Sequence, residues 1–176
     1  MINQSLSPEF FHYPVMLDEV IKICSPGKGG VFIDCTFGGG GYSKKLLKFS
    51  KTKVIALDRD KFILKISNEL RKKYPKRFFF YQKKFSEVNI IMKNQLADAI
   101  VFDLGLSSIQ LNNFERGFSF YSKKHLDMSM GLTTTSAEQV VNNSSEQKLK
   151  SIIKILGEEK DAARIAKNIV KARLIE

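Results

Sequence analysis

The sequence lacks the residue patterns that several large protein classes require. Only two cysteines occur, Cys24 and Cys35, in separate predicted elements and with no partner histidine nearby. The sequence therefore indicates neither a disulfide framework nor a metal site, and this cysteine usage is typical of a reducing cytosol. No GxSxG, HExxH or Walker pattern occurs, which argues against the usual hydrolases and phosphate-transfer enzymes.

Long apolar segments are also missing. No stretch approaches the roughly 18 apolar residues of a membrane span. The first residues do not combine a basic segment with an apolar one, as a secretion signal does. We therefore expect a soluble, cytoplasmic protein. With 176 residues, 43% of them hydrophobic, the chain fits one globular domain with a sizeable core.

Acidic residues are outnumbered by basic ones. The chain has 29 Lys and Arg against 18 Asp and Glu, which gives a formal net charge of +11. This excess favours a polyanionic partner such as nucleic acid. The alternative is that the lysines of KKLLK, RKKY and QKK only form solvated helix faces.

Apolar runs alternate with helical patterns through the first 105 residues. The predicted strands are 31–35, 53–58, 78–82 and 98–105, and the predicted helices are 15–24, 42–49, 60–74 and 86–96. Strands and helices that alternate at this spacing imply right-handed crossovers and a mostly parallel sheet. The sequence therefore predicts an α/β fold with a doubly wound sheet.

The pattern changes after residue 105. Residues 106–136 have little periodicity and mix polar with aromatic side chains, which indicates a long functional loop. Residues 137–176 turn helical again, with Ser136 as a helix cap and an apolar stripe along the last helix. No fifth or sixth strand is predicted, so we expect the sheet of residues 1–105 to be incomplete in this chain.

Four consecutive glycines, Gly38 to Gly41, follow the first predicted strand. Such a run loses much backbone entropy on folding, so its backbone is expected to go where side chains cannot. Asp34 precedes the glycines, and Asp58 lies 20 residues after Gly38 at the end of the second strand. That offset is typical of a ribose-binding carboxylate. With Asp103 near the end of the fourth strand, these residues predict a ligand site at the carboxyl edge of the sheet.

The residues favour a methyl donor over a dinucleotide. A dinucleotide fold spaces its glycines as G-x-G-x-x-G and aims a helix N-terminus at pyrophosphate, whereas here the glycines are adjacent and follow an acid. S-adenosylmethionine has no phosphate and carries sulfonium and ammonium charges, which carboxylates attract. A tight turn without a ligand is the alternative.

Aromatic and histidine residues add weaker signals. Phe85, after the third strand, could flank an adenine, although a single Phe at a strand end is more often part of the core. His12 and His125 match no metal spacing and are interpreted as structural or exposed residues.

Six segments, taken in order, resemble one protein family. They are HYPVMLDEV, FIDCTFGGGGYS, ALDRD, FDLGLSSIQL, ERGFSF and LDMSM. The set resembles the ribosomal small-subunit RNA (cytosine-N4) methyltransferase H family, also called MraW, from about residue 10 to the end of the chain. The resemblance implies a class I, Rossmann-like methyltransferase that uses S-adenosylmethionine. It also implies a substrate, N4 of a decoding-centre cytidine in the 16S rRNA of the small ribosomal subunit.

The resemblance also implies roles for individual residues. The family positions that contact the methyl donor correspond here to Gly40, Gly41, Tyr42, Asp58, Phe85, Asp103 and Gln110. Among them, Asp58 would hold the ribose and Phe85 would lie beside the adenine. Asp103 is also the candidate catalytic residue, because it could orient or polarise the cytosine amine.

The chain departs from the family pattern at three positions and in length. Tyr42 replaces the His of GGHS, Ile109 the Pro of SSPQL, and Ser129 the Arg of LDMRM. Family members continue well beyond the point where this sequence stops, so we expect a shortened chain whose own activity is open. A noncatalytic donor- or RNA-binding remnant and a small-molecule methyltransferase remain alternatives. The sequence does not fix the oligomeric state, and a homodimer is one of the alternatives.

Overall fold

The computed structural model describes residues 14–123, 125–132 and 135–173, so His12 lies outside the described residues. The chain divides into two compact units. The first, called here the sheet unit, comprises Met1–Asn113 and Met130–Leu132. The second, called the helical unit, comprises Phe114–Ser129 and Thr133–Glu176.

Four parallel strands form the sheet. β1 (Gly30–Asp34) lies between β2 (Thr52–Asp58) and β4 (Ala99–Val101), and β3 (Phe78–Gln82) pairs with the other side of β2. The strand order β3-β2-β1-β4 changes direction between β1 and β4, which makes this point the topological switch of the sheet.

Alternate side chains of the strands enter two separate cores. The bounds of the helices in this unit are α1 Leu17–Cys24, α2 Gly41–Leu46, α3 Leu64–Lys73, α4 Val88–Met92 and α5 Ser108–Leu111. Phe32 and Val54 share one core with residues of α1, α2 and α3, whereas Ile33 and Ile55 share the other with Met92 of α4. Successive strand residues point to opposite faces of the sheet, so the two cores lie on its two sides. Helices therefore cover both faces. The predicted doubly wound α/β fold is confirmed.

β4 is much shorter than predicted. It ends at Val101 instead of continuing to residue 105, so Asp103 lies in the loop beyond the strand. The backbone N–H of Asp103 donates to the hydroxyl of Thr36 at 2.8 Å instead of to the backbone of β1. The Thr36 hydroxyl thus replaces a backbone acceptor of the neighbouring strand, and β4 ends before Asp103.

All four helices predicted over the first 105 residues begin or end differently, and α1 and α2 differ by one to three residues at an end. The helix predicted over 60–74 starts with a 3₁₀ turn, Lys61–Ile63, because the carboxylate of Asp60 accepts the backbone N–H of Phe62 at 3.0 Å. This turn leaves Phe62 about half exposed and buries Ile63. The helix predicted over 86–96 is reduced to α4, which ends where Lys93 takes a positive φ of 43°.

The helical unit contains three longer helices in its described residues: α6 (Ala137–Asn143), α7 (Glu146–Leu156) and α8 (Ala162–Ala172). Ser136 caps α6 as predicted, since its hydroxyl accepts the backbone N–H of Gln139 at 3.1 Å. The predicted apolar stripe of α8 is also present, with Ala162 and Ala166 buried. No helix in the described parts of the chain is long and apolar enough to cross a bilayer.

Replacing Leu46 by Ala should lower the free energy of unfolding by about 2–5 kcal/mol, because the side chain is fully buried in the core and its removal leaves a cavity. Leu96→Ala is the matched control, since Leu96 is 90% exposed. It should change the free energy of unfolding by less than about 0.5 kcal/mol. Urea denaturation followed by circular dichroism measures both, and equal losses would contradict the core assignment of Leu46.

Candidate functional site

An open pocket of about 430 Å³ lies at the carboxyl ends of the strands. Its walls include residues 35–39 after β1, 58–59 at the end of β2, 83–85 after β3 and 103–107 after β4. This is where open α/β sheets bind their ligands, and the volume suits a small organic molecule. All of the lining residues belong to the sheet unit.

The structure brings most of the predicted site residues together. Those that line the pocket are Gly41, Tyr42, Asp58, Phe85, Asp103 and Gln110. Gly40 is not part of the lining, whereas Gly38 and Gly39 are. The glycine run therefore meets the pocket mainly through its first half.

The four glycines differ in why a side chain is excluded. Gly38 and Gly40 have φ angles of 48° and 75°, in the left-handed region that favours glycine. A Cβ on Gly40 would lie 2.8 Å from the ring of Phe37, and one on Gly41 would overlap the ring of Pro14. Gly40 and Gly41 are thus required by the packing of the protein itself.

Gly39 has neither constraint. Its φ is not positive, and the nearest atom to an added Cβ would be Cδ1 of Ile109, at an ordinary contact distance of 3.8 Å. Gly39 nevertheless lines the pocket. Neither the backbone conformation nor the packing of the described residues requires glycine at this position.

Asp58 connects the glycine loop to the end of β2. Its Oδ2 accepts the backbone N–H of Gly38 at 2.8 Å, and its Oδ1 accepts that of Asp60 at 2.9 Å. Burial raises the pKa of the Asp58 carboxyl, and these hydrogen bonds oppose the rise. A carboxylate has about four acceptor positions, so Asp58 can still accept hydrogen bonds from the hydroxyl groups of a ligand.

Asp34 stabilises the loop from inside the protein. It is fully buried, its Oδ2 accepts the hydroxyl of Ser43 at 2.6 Å, and its Oδ1 accepts the backbone N–H of Thr36 at 3.3 Å. Burial raises the pKa of Asp34 to about 6, while the hydrogen bond from Ser43 lowers it. Asp34 does not line the pocket, so any attraction between Asp34 and a cationic ligand acts only at a distance.

Tyr42 is buried where the family pattern has histidine. Its hydroxyl donates to the carbonyl of Val15 and thereby connects α2 to the segment before α1. Burial raises the pKa of the phenol to about 12, and the nearby carboxylate of Asp103 adds to the effect. The phenol therefore stays protonated at neutral pH.

Gln110 is buried, and both ends of its side-chain amide have partners in the protein. Its Nε2 donates to Oδ2 of Asp60 at 2.9 Å, and its Oε1 accepts the backbone N–H of Ser107 at 3.0 Å. Ser107 in turn accepts the backbone N–H of Gln110, which closes a capping box at the start of α5. The amide of Gln110 thus holds α5 against the turn after β2.

Phe85 is a pocket residue and not part of the core. Its side chain is 46% exposed and packs edge-to-face on Phe102, with ring centroids 5.6 Å apart. An exposed aromatic ring on the lining of a pocket offers a surface to a planar base.

Lysines of the KKLLK and QKK segments line the pocket or bond to its glycine loop. Lys44 is half-buried, and its Nζ donates to the carbonyl of Gly39 at 2.7 Å, while burial lowers the pKa of its ammonium group. Lys83 and Lys84 line the pocket together with Arg59. The spacing of these residues carried no signal, because charged residues at such positions usually face water.

Of the two cysteines considered for metal binding, Cys35 lines the pocket and Cys24 does not. Among the residues that the structure describes, no group of three His, Cys, Asp or Glu side chains could hold a metal ion. Cys24 and Cys35 are free thiols. His125 is exposed, as interpreted, and its Nδ1 lies 3.3 Å from Oε2 of Glu138 within the helical unit.

Comparison with known proteins finds relatives along nearly the whole chain. The profile that matches residues 9–176 is that of the MraW methylase family. The chain belongs to the MraW methylase family. The resemblance carried by the six sequence segments is therefore confirmed, and the four-stranded parallel sheet agrees with the class I methyltransferase fold.

Curated relatives of this chain are ribosomal RNA small subunit methyltransferases H from bacteria. The protein from Rickettsia akari (strain Hartford) is 44% identical over 162 residues, which are 92% of this chain and 53% of that protein. The one from Orientia tsutsugamushi (strain Ikeda) is 43% identical over 163 residues, 92% of this chain and 52% of its own length. The chain spans about half the length of the curated relatives it matches.

The pH dependence of stability tests the burial of Asp34. Its pKa rises from 3.8 to about 6 on folding, so the folded state binds this proton more tightly than the unfolded state. The carboxyl group therefore lowers the free energy of unfolding as the pH rises from about 4 to about 6, by roughly 3 kcal/mol in total. Asp34→Asn cannot ionise and should lack this contribution.

Urea denaturation between pH 4 and pH 7 measures the effect as a difference between the two proteins. The free energy of unfolding of the unchanged protein, minus that of the variant, should decrease across this range. Glu19→Gln removes an exposed carboxylate on α1 and should keep the original profile. Parallel profiles for Asp34→Asn and the unchanged protein would contradict the assignment.

Proposed function

We propose that this chain binds S-adenosylmethionine in the pocket and takes part in methylating N4 of a cytidine in 16S rRNA of the small ribosomal subunit. The observation that carries the proposal is Gly39, a pocket residue for which the protein's own packing and backbone give no need of glycine. The names of the relatives support the substrate class. A ribosomal substrate also implies a cytoplasmic location.

The carboxylates and the aromatic ring of the pocket fit this methyl donor. Asp58 and Asp103 are half-buried acceptors, which suit ribose hydroxyls, an ammonium group and a sulfonium charge. The exposed ring of Phe85 suits an adenine. Gly38 and Gly39 allow main-chain contact with the ligand.

The remaining predicted contacts support the site in other ways. Gly40 and Gly41 would shape the loop, Tyr42 would tie it to the segment before α1, and Gln110 would position α5.

The cations on the pocket lining do not oppose a positively charged ligand. Arg59, Lys83 and Lys84 are exposed, so solvent and salt screen them more than they screen the half-buried acids. Lys83 is also paired with Glu87 at 2.8 Å. The carboxylate of the ligand's amino-acid portion is a suitable partner for such cations.

The chemistry requires alignment and a group that accepts charge. S-adenosylmethionine supplies an electrophilic methyl group when it is bound. The exocyclic amine of cytosine is a weak nucleophile because its lone pair is delocalised into the ring, so it must be oriented and its developing positive charge stabilised. Asp103 lines the pocket, and Thr36 fixes its backbone. We assign its carboxylate the role of accepting a hydrogen bond from the amine.

Binding without methyl transfer is the second candidate function. The chain spans about half the length of its relatives, so a donor- or RNA-binding role without catalysis is compatible with the same pocket. Calorimetry with S-adenosylmethionine and incorporation of labelled methyl groups into unmethylated small subunits distinguish the two. Methyl incorporation into a metabolite pool instead of subunits would indicate a small-molecule methyltransferase.

Gly39→Ala should weaken S-adenosylmethionine binding by about tenfold or more, which is about 1.4 kcal/mol, while leaving the free energy of unfolding nearly unchanged. The added methyl group has room within the protein but would occupy space that the ligand needs. Isothermal titration calorimetry and urea denaturation measure the two quantities.

Gly27→Ala is the matched control for this substitution. Gly27 also has no positive φ and no atom near an added Cβ, but it does not line the pocket. The two variants should be equally stable and differ only in donor affinity. Unchanged affinity in Gly39→Ala would show that the donor does not approach Gly39 and would remove the observation that carries the proposal.

Asp103→Asn should lower the rate of methyl transfer by roughly 10²-fold or more, the usual size of an acid–base contribution, with a smaller change in donor affinity. The amide keeps the shape of the side chain but loses the charge that would stabilise the reacting amine. Glu19→Gln is the control for loss of one negative charge. Full methyl transfer by Asp103→Asn would remove the catalytic role, and a loss confined to donor affinity would assign Asp103 to donor binding.

A further inference from the structure

One segment of the helical unit has no role in the pocket. Residues 118–123, called here the aromatic loop, follow the ERG of the ERGFSF motif, and none of them lines the pocket. Phe120 is fully exposed and the adjacent Tyr121 is 81% exposed. Single exposed apolar residues are common, but two adjacent uncovered aromatic side chains form a surface that usually meets a partner.

The base of the aromatic loop is held firmly. Arg116 is buried, its Nη2 donates to the carbonyl of Ser129 at 2.7 Å, and its own carbonyl accepts the backbone N–H of Met128 at 2.8 Å. Gly117 has a φ of 75°, and a Cβ there would lie 3.1 Å from the carbonyl oxygen of His125. The ERGFSF and LDMSM segments are therefore packed side by side.

The tip of the loop differs from its base. The guanidinium of Arg116 lies 5.0 Å from the centre of the Phe118 ring, so Phe118 belongs to the base. Phe120 and Tyr121 project beyond it, and Lys123 next to them is also exposed. A fixed base lowers the entropy that a binding partner must remove when it orders the tip.

We propose that Phe120 and Tyr121 stack on unpaired RNA bases and that Lys123 contacts the adjacent phosphates. Aromatic rings next to basic residues are the usual means of holding single-stranded RNA, because each base has a face on which a ring can stack. The net charge of +11 favours a polyanion over a protein partner. RNA as the partner rests on the proposed function, whereas the stacking surface rests on the exposure of the loop.

A tryptophan substitution makes stacking directly visible. The chain contains no tryptophan, so Phe120→Trp introduces a single indole fluorophore at the tip of the loop. A single-stranded RNA oligonucleotide should quench its emission, and a duplex of the same sequence should quench it much less, because duplex bases are already stacked. RNA binding by anisotropy without quenching would overturn the proposal.

Alanine substitutions separate stacking from charge. Phe120→Ala and Tyr121→Ala should each weaken binding of the single strand roughly tenfold without changing the dependence of affinity on salt. Lys123→Gln should instead reduce the slope of log affinity against log salt by about 0.7. Leu156→Ala, at an 80% exposed apolar residue of α7, is the control and should change neither.

Several results would refute the stacking role. They are unchanged RNA affinity in both aromatic variants, an equal loss in Leu156→Ala, or dissociation of a dimer by Phe120→Ala in light scattering with RNA affinity unchanged. The last result would assign the loop to a second copy of the chain.

Donor calorimetry without RNA keeps the two proposals distinct. Phe120→Ala should bind S-adenosylmethionine as the unchanged protein does. If the unchanged protein does not bind S-adenosylmethionine, only the proposed function is refuted. If RNA does not quench the fluorescence of Phe120→Trp, only the stacking role of the aromatic loop is refuted.

Discussion

The hydrogen bond between the Asp58 carboxylate and the backbone of Gly38 is the contact on which the candidate site depends. It joins the glycine turn that follows β1 to the end of the neighbouring strand β2. Lys44 donates to the carbonyl of Gly39 in the turn, and the buried Asp34 accepts hydrogen bonds from Thr36 before the turn and Ser43 after it. The loop is thus fixed by hydrogen bonds to side chains along its length and on both sides of it.

The sheet could be predicted from the sequence because each strand is a short apolar run with a clear break after it. β3 has the predicted bounds, and β1 and β2 differ from prediction by one residue at their ends. β4 could not be predicted in the same way, because its end depends on Thr36, which lies 67 residues away along the chain. Local pattern carries no information about such a contact.

The position of the pocket could be predicted from the sequence, but not which of the predicted residues bond to other parts of the protein. The offset between Gly38 and Asp58 corresponds to a direct hydrogen bond. The reason for Gly41 is Pro14, and Gln110, implied only by family resemblance, is bonded to Asp60. These pairings join distant parts of the chain, so neither periodicity nor motif could distinguish a residue that meets ligand from one that supports it.

The predicted divisions at residues 105 and 136 remain functional predictions. The boundaries of the two compact units lie at other residues. Met130–Leu132 belong to the sheet unit although the residues on both sides belong to the helical unit. Within the sheet unit, Nε of Arg59 donates to the sulfur of Met130 at 3.0 Å, and Gly131 packs against Lys61. Neither unit is therefore one continuous stretch of sequence. No single cut in the chain separates them, and a cut after Asn113 would deprive the sheet unit of Met130, the partner of Arg59.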